Sequence, residues 1–194
     1  PDFNADCAPM LTLVMALAVA KGIRQTLGRD SREAAAKVGI KWPNDIVVDG
    51  KKVCGILTEM SMEQGYIHHI VIGVGINVRR QEFSEEIRER AAAIDEQCGF
   101  CISRSQLIAD IMEAFEEDYE IFLQTHDLKG LRDSYAKLLL NQDREVCVLD
   151  PKGEYRGIAR GINDQGELIV ERQDGTVEEV YAGEVSVRGI YGYV

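Results

Sequence analysis

Positive charge is scarce in this sequence. Its 194 residues carry 33 Asp and Glu against 22 Lys and Arg, a formal net charge of -11. Sequence-independent binding to DNA or RNA needs a Lys and Arg surplus to neutralise phosphates, so no nucleic-acid partner is expected. A nucleotide as a small ligand is compatible with this balance. A secreted disulfide framework is also lacking: Cys7, Cys54, Cys98, Cys101 and Cys147 make an odd set of five, mostly inside apolar stretches. A reducing, cytoplasmic compartment is expected. Long hydrophobic runs are missing too. The longest, Ala8–Ala20, contains Pro9 and Thr12 and ends at Lys21. It is shorter than the ~20 residues that cross a bilayer, has no basic leader, and reads as a buried helix. With 45% apolar residues, 18 Gly and 4 Pro, collagen-like and largely disordered chains are excluded. The length suffices for a core, as one domain or a medium domain plus a small one. The opening Pro1-Asp2-Phe3-Asn4 has no initiator Met and reads as mid-domain turn sequence, as in a piece of a longer chain.

Several catalytic signatures are absent. There is no G-x-x-x-x-G-K-[ST] phosphate loop and no G-x-S-x-G nucleophile elbow. Cys98-Gly99-Phe100-Cys101 has redox or half-zinc spacing, but it follows a predicted helix and no second ligand pair accompanies it, so it reads as loop or core thiols. His68 and His69 are adjacent on a predicted strand, where successive side chains point to opposite faces, so they are not expected to chelate one ion. His126 falls in a predicted loop. No metal site is expected from protein side chains alone.

What is present reads as helices and short strands. Pro9–Leu27, followed by Gly28, predicts a helix apolar nearly all round, and a polar, partly helical stretch, Gly28–Lys37, follows. Ile40–Val48 predicts a strand made irregular by Pro43. Asp49-Gly50 is a hairpin turn, Val53–Met60 the partner strand, Gln64-Gly65 a second turn and Tyr66–Val74 a third strand, together an antiparallel meander. Ser84–Gln97 predicts an amphipathic helix. Ser103-x-x-Gln106 has capping-box spacing before apolar residues at helical intervals from Leu107 to Leu123. The acidic residues of that helix, Asp118 among them, are expected to face water. A last helix is predicted over Leu128–Leu140. After Asn141 come short strands at Val146–Leu149, Tyr155–Ile162, Leu168–Glu171, Thr176–Tyr181 and Val185–Ile190. Turns at Pro151-Lys152-Gly153, Asp164-Gln165-Gly166 and Asp174-Gly175 separate several of them, as in a small barrel or sandwich. A domain boundary is placed near residue 142.

Three segments stand out chemically. Lys41-Trp42-Pro43-Asn44-Asp45 packs a cation, the only Trp, a Pro and two polar turn residues together. Lys51 and Lys52, which taken alone read as solvent-exposed hairpin lysines, precede Gly55, a glycine inside a strand, which is costly unless something approaches closely. Gly73-Val74-Gly75-Ile76-Asn77 lacks the third glycine of a Rossmann fingerprint. It reads either as a strand end with two permissive glycines or as a backbone that a flat ligand approaches, with the Asn77 amide reading a base edge.

K-W-P-N-D, then K-x-x-G-I-L-x-E, then G-x-G-I-N, in this order, resembles the biotin protein ligases (biotin–acetyl-CoA-carboxylase ligases). Gly183-Glu184-Val185-Ser186-Val187-Arg188 resembles the family's closing motif, so the likeness spans the whole chain. The resemblance implies an α+β fold: a class II aminoacyl-tRNA synthetase-like catalytic domain (partial) over residues 1–142 and a small C-terminal SH3-like β-barrel over 143–194. It implies an ATP-dependent enzyme that activates biotin as biotinoyl-AMP, with Mg²⁺, and transfers it to a lysine of a biotin carboxyl carrier domain. By motif, Lys52 is expected at the biotin carboxylate and the transferring phosphoryl group, and Gly55 against biotin. Asn77 is expected at adenine, and Asp45 and Asn44 shape the site. Lys41 and Arg188 are further candidates for phosphate contacts. The family's upstream glycine- and arginine-rich loop and the Trp that follows it have no counterpart here, so this stretch alone is expected to be inactive. Two alternatives stand beside this reading: a lipoate or octanoate ligase relative, and a truncated, non-catalytic binding or dimerising module. Homodimerisation is implied by the resemblance only.

Overall fold

The computed structural model describes residues 1–63, 65–150, 153–182 and 186–189, with only the backbone of 186, 188 and 189. The first unit is a four-stranded antiparallel sheet in the order β1 (Val38–Lys41), β2 (Asp45–Val48), β3 (Lys51–Glu63), β4 (Tyr66–Ile76). Asp49 and Gly50, at φ 49° and 79°, close the β2–β3 hairpin with the left-handed pair that a two-residue turn requires. The segment predicted as one strand over Ile40–Val48 is instead two strands, β1 and β2, folded back at Trp42-Pro43-Asn44, with a cis peptide before Pro43. Pro43 donates no ladder hydrogen bond, so the chain turns there.

Helix α1 (Met10–Gly28) lies between the sheet and α4 (Arg104–Thr125). Apolar on every side, it is buried almost throughout. Taken with the turn before it, Ala5–Gly28 is long and apolar enough to cross a bilayer by length and composition, longer than the run read from sequence; its most apolar 18 residues have mean hydropathy 1.5, and 72% of them are buried inside this protein. Thr12 donates to or accepts from Thr58 across the α1–β3 contact at 2.8 Å. Polar side chains join α1 to α4: Arg29, Thr26 and Gln106 all bond the buried Asp110. Gln106 therefore turns toward Asp110 rather than back to Ser103, which caps α4 alone by accepting from the Gln106 N–H. Asp118, expected to face water, is fully buried and pairs with Lys21 of α1. Ser31 caps the short α2 (Arg32–Ala36) by accepting from Ala34 N–H.

Two predicted helices shrink. Of Ser84–Gln97 only α3 (Ile94–Cys98) is helical, and of Leu128–Leu140 only α5 (Arg132–Ala136). In both places local turn bonds remain, but some backbone groups pair with strands and the helix does not continue. The Lys52 N–H donates to Arg90 O at 2.8 Å and the Ala92 N–H to Lys52 O at 2.9 Å; Ile40 and Leu138–Leu140 exchange bonds in the same way.

His68 and His69 also depart from expectation. Ser61 pairs with His69 but Met62 with Ile67, so His68 is the extra residue of a bulge. Alternation is broken there, and both imidazoles stand on one exposed side with their Nδ1 atoms 2.8 Å apart.

The second sheet has the order β8 (Val177–Val180), β7 (Leu168–Glu171), β6 (Gly153–Ile162), β5 (Glu145–Asp150), β9 (Ser186–Gly189), every pair antiparallel. Trp42 ties the two sheets together. Buried, it donates its indole N–H to Gly166 O at 2.9 Å and its backbone N–H to Asn141 Oδ1 at 3.1 Å. Pro151 and Lys152 of one predicted turn, Gln64 of another, residues 183–185 of the closing motif, and Ile190 lie outside the described residues.

Candidate active site

The register of β3 against β4 builds the site. Gly55 faces Gly75 and Leu57 faces Gly73, and directly opposed residues share one face of a sheet. The other face carries Ile56, Ile72, Val74 and Ile76 toward the core, so the three glycines lie on the outer side, beside a Leu57 that is 64% exposed. None of the three has a positive φ. A Cβ at Gly73 would meet nothing nearer than Leu57 O at 3.6 Å, and one at Gly75 nothing nearer than Gly55 O at 3.8 Å. Neither backbone conformation nor internal crowding therefore calls for glycine at 73 and 75. What they leave is a strip of bare peptide plane.

Gly55 has an additional reason. A Cβ there would sit 3.2 Å from Lys52 Cε and Nζ and 3.8 Å from Asp45 Oδ1. The glycine gives the Lys52 side chain room to fold back over the strand and form its ion pair with Asp45, the residue facing Gly55 across the β2–β3 ladder. The pair is lopsided in exposure, 37% for the lysine side chain and 14% for the aspartate. The ammonium thus meets the open side while the carboxylate behind it stays covered.

Lys52, Gly55, Gly75 and Asn77 line one cleft of about 530 Å³ with Cys54, Phe83, Ile87, Arg90 and Ala91, a size within the range of small-molecule sites. Its charged lining residues, Lys52 and Arg90, are both cationic in a chain of net charge -11. The Cys54 thiol is pushed up to about 12, by burial first and by Asp45 second, with Lys52 opposing, and stays protonated. Asn77 is fixed at the end of β4: its N–H donates to Val53 O at 2.8 Å, its carbonyl accepts from the Ile94 N–H, and its side-chain Oδ1 accepts from Gln81 Nε2 at 3.0 Å. That leaves the Asn77 amide N–H groups for a ligand. Segment 79–93 forms one wall, anchored at its start by Arg79 on Asp95 and Ile102 O and at its end by the bonds to Lys52.

Of the residues singled out from sequence, Lys52, Asp45, Gly55 and Asn77 come together here. Lys41 ends β1 opposite Asp45 and is buried. Asn44 lines a neighbouring apolar hollow with Ala8, Pro9 and Thr12, and exchanges bonds with the Ile56 backbone. Arg188 belongs to β9, paired with Cys147, and its side chain is outside the description. Phe83, Ile87 and Arg90 were not anticipated. Among the described residues, no group of three or more His, Cys, Asp or Glu side chains gathers as a metal site, and Cys7, Cys54, Cys98, Cys101 and Cys147 are free thiols.

Comparison with known proteins agrees with this arrangement. The profile of the biotin/lipoate A/B protein ligase family matches residues 1–77, and that of the biotin protein ligase C-terminal domain matches residues 143–188. The bifunctional ligase/repressor BirA of Bacillus subtilis is 35% identical over 192 residues, covering 96% of this chain and 55% of that protein. The biotin–[acetyl-CoA-carboxylase] ligase of Paracoccus denitrificans is 26% identical over 190 residues, 94% of this chain and 77% of the relative. The biotin protein ligase of Aquifex aeolicus, solved in complex with biotin and ATP, superposes with a TM-score of 0.76 at 26% identity, over 96% of this chain and 72% of that one. The chain spans about half the length of the BirA proteins it matches. With the two profiles together matched over more than half of this chain's residues, a BirA 35% identical over 96% of this chain, and the mixed α/β architecture with a C-terminal sheet domain, the chain belongs to the biotin protein ligase family.

Proposed function

We propose that this chain carries the glycine-floored face and phosphate-side lysine of an ATP-dependent ligase that activates biotin as biotinoyl-AMP and transfers it to a carrier lysine. The observation that carries the reading is the strip of Gly55, Gly73 and Gly75 beside the Lys52–Asp45 pair, bare where the protein's own packing does not require it. A flat bicyclic ligand lies on such a floor, with its carboxylate toward the Lys52 Nζ. The carboxylate oxygen attacks the α-phosphorus of ATP; pyrophosphate leaves with the bonding pair. The carrier lysine amine then attacks the acyl carbon and AMP leaves. No enzyme nucleophile is required. Lys52 stabilises charge while both anions are brought together, which is positioning plus electrostatics. Asn77 donates to the adenine edge, and Phe83 and Ile87 give the base an apolar wall.

The cleft lining contains no carboxylate, so magnesium has no protein cage there and would enter with the nucleotide phosphates. The same reading takes residues 1–142 as a class II aminoacyl-tRNA synthetase-like domain and 143–194 as an SH3-like barrel. It is supported by an antiparallel sheet backed by helices, followed by five short strands. A biotin carboxyl carrier domain as partner, homodimerisation and a cytoplasmic compartment belong to the proposal; the free thiols support the last.

The test is ATP-dependent transfer of biotin to a carrier domain by the full-length protein that contains this chain. Lys52→Ala is expected to slow biotinoyl-AMP formation about 10²–10³-fold, the usual cost of removing a transition-state charge partner. Normal adenylation by that variant would remove Lys52 from the mechanism. Absence of both biotin and ATP binding would overturn the function.

A further inference from the structure

The bulge in β4 does something the ligase chemistry does not use. A regular strand would send His68 and His69 to opposite faces. The extra residue between the Ser61–His69 and Met62–Ile67 pairs puts them on the same side instead. Their rings lie 4.9 Å apart at 66°, and the Nδ1 atoms face each other at 2.8 Å. Both residues are exposed, on the open side of the sheet. In the free protein one Nδ1–H donates to the other Nδ1, so two ring nitrogens already stand within reach of one ion.

That spacing distinguishes among ions. Two metal–nitrogen bonds of about 2.0 Å at a right angle hold their nitrogens about 2.8 Å apart, whereas a tetrahedral angle holds them about 3.3 Å apart. We propose that His68 and His69 form a two-imidazole chelate for divalent ions that favour right-angle coordination, Ni(II) and Cu(II), in preference to tetrahedral zinc. On binding, the proton between the rings moves through solvent to the Nε2 of the ring that carried it. Both imidazoles then ligate through Nδ1 in neutral form, and no net proton is released. Among the described residues no third His, Cys, Asp or Glu completes a cluster, so water fills the remaining positions. His69 lies four residues along β4 from Gly73, about 13 Å at the ordinary strand rise. The ion therefore sits beyond the glycine floor, and its binding is read independently of biotin or ATP.

The experiment is calorimetric titration of the untagged chain, its exposed Cys101 alkylated, with nickel chloride and separately with zinc chloride. One nickel ion per chain is expected, bound more tightly than zinc. His68→Ala and His69→Ala should each weaken nickel about tenfold or more, because each removes one arm of the chelate and with it the gain in effective concentration. His126→Ala, on the C-cap of α4, should leave it unchanged. Both histidines are exposed, so the variants are expected to keep the thermal midpoint of the unsubstituted chain. No nickel binding, zinc bound more tightly than nickel, or full nickel affinity in either single variant would overturn the proposal.

Discussion

Gly75→Ala separates what the protein needs from what its ligand needs. On the protein's side the substitution is mild. The added methyl meets its nearest atom, Gly55 O, at 3.8 Å, an ordinary contact, and the backbone is not in the left-handed region. Alanine also removes glycine's excess unfolded-state freedom, worth about 0.5–1 kcal/mol in a strand. Stability should hold or rise slightly. On the ligand's side, a molecule lying in van der Waals contact with the peptide plane is pushed off by the methyl. Overpacking of this kind costs about 1–3 kcal/mol, which is roughly a 5- to 150-fold loss of affinity. Gly73→Ala should behave alike, with 3.6 Å of clearance from Leu57 O. Gly22→Ala is the opposite control: its Cβ would lie 2.7 Å from the Ile111 backbone, where α1 and α4 touch, and about 1–3 kcal/mol of stability should be lost. Thermal unfolding and calorimetric biotin titration of each variant read the two sides separately. Unchanged biotin affinity in Gly75→Ala, or a lowered thermal midpoint, would refute the assignment of this strip as a ligand floor.

Other residues give sharper readouts of neighbouring parts. Phe83→Ala should raise the KM for ATP roughly 5- to 150-fold, the range for losing a base–aromatic stack, while biotin affinity stays put; an unchanged KM would dismiss segment 79–93 as a nucleotide wall. The Asp110 carboxyl is held down at about 2, chiefly by its hydrogen bond from Arg29 and then by Thr26 and Gln106, with burial opposing. A carboxyl with a depressed folded-state pKa contributes its stabilisation above the unfolded value near 4 and loses it as pH falls toward 2. Asp110→Asn should therefore cost about 2 kcal/mol at pH 7, with the gap to the unsubstituted chain closing between pH 4 and 2 in urea unfolding; a gap independent of pH would contradict the account. At pH 8 an alkylating reagent should modify the exposed Cys101 and spare Cys54, whose thiol titrates near 12; equal labelling rates would show that the cleft wall opens.

Local chemistry decided which parts of the molecule were legible in the sequence. An apolar helix flanked by Pro9 and Gly28, and an Asp49-Gly50 turn between alternating strands, depend on neighbours within a few residues, and both stand in the fold. Segments 84–93 and 137–140 have helical periodicity, yet Arg90, Ala92, Leu138 and Leu140 make backbone bonds with Lys52 and Ile40, partners far away in sequence, which no periodicity encodes. Asp118 looked like one more acid on a wet helix face because Lys21, its partner, comes from another helix. The His68–His69 pair was misjudged for a similar reason: a bulge depends on the register of the facing strand, and one extra residue undoes the alternation rule. At the site, Gly55 was conspicuous as a glycine inside a strand, whereas Lys52 and Asn77 were picked out by the motif resemblance. Ile87 and Arg90 were hidden inside a stretch that resembled a charged amphipathic helix, and Phe83 stood just before it.

The three glycines of the floor are not equivalent, and the difference explains how an ion pair can sit in a ligand cleft without closing it. Were residue 55 larger, its Cβ would press on the Lys52 Cε and Nζ and the ammonium would have to shift in its ion pair with Asp45. With glycine there, the end of the lysine stem lies against the strand, Asp45 compensates the ammonium, and the lysine side chain stays 37% exposed. A lysine has three donors and four rotatable stem bonds, and free in solvent it would have to be immobilised when anions arrive. Tethered by Asp45 and held through its backbone by Arg90 O and the Ala92 N–H, it has lost most of that freedom before binding. Gly73 and Gly75, by contrast, serve nothing inside the protein; their bareness is directed outward. One glycine thus preorganises the cation, while the other two keep the surface beside it open to whatever the cation is meant to hold.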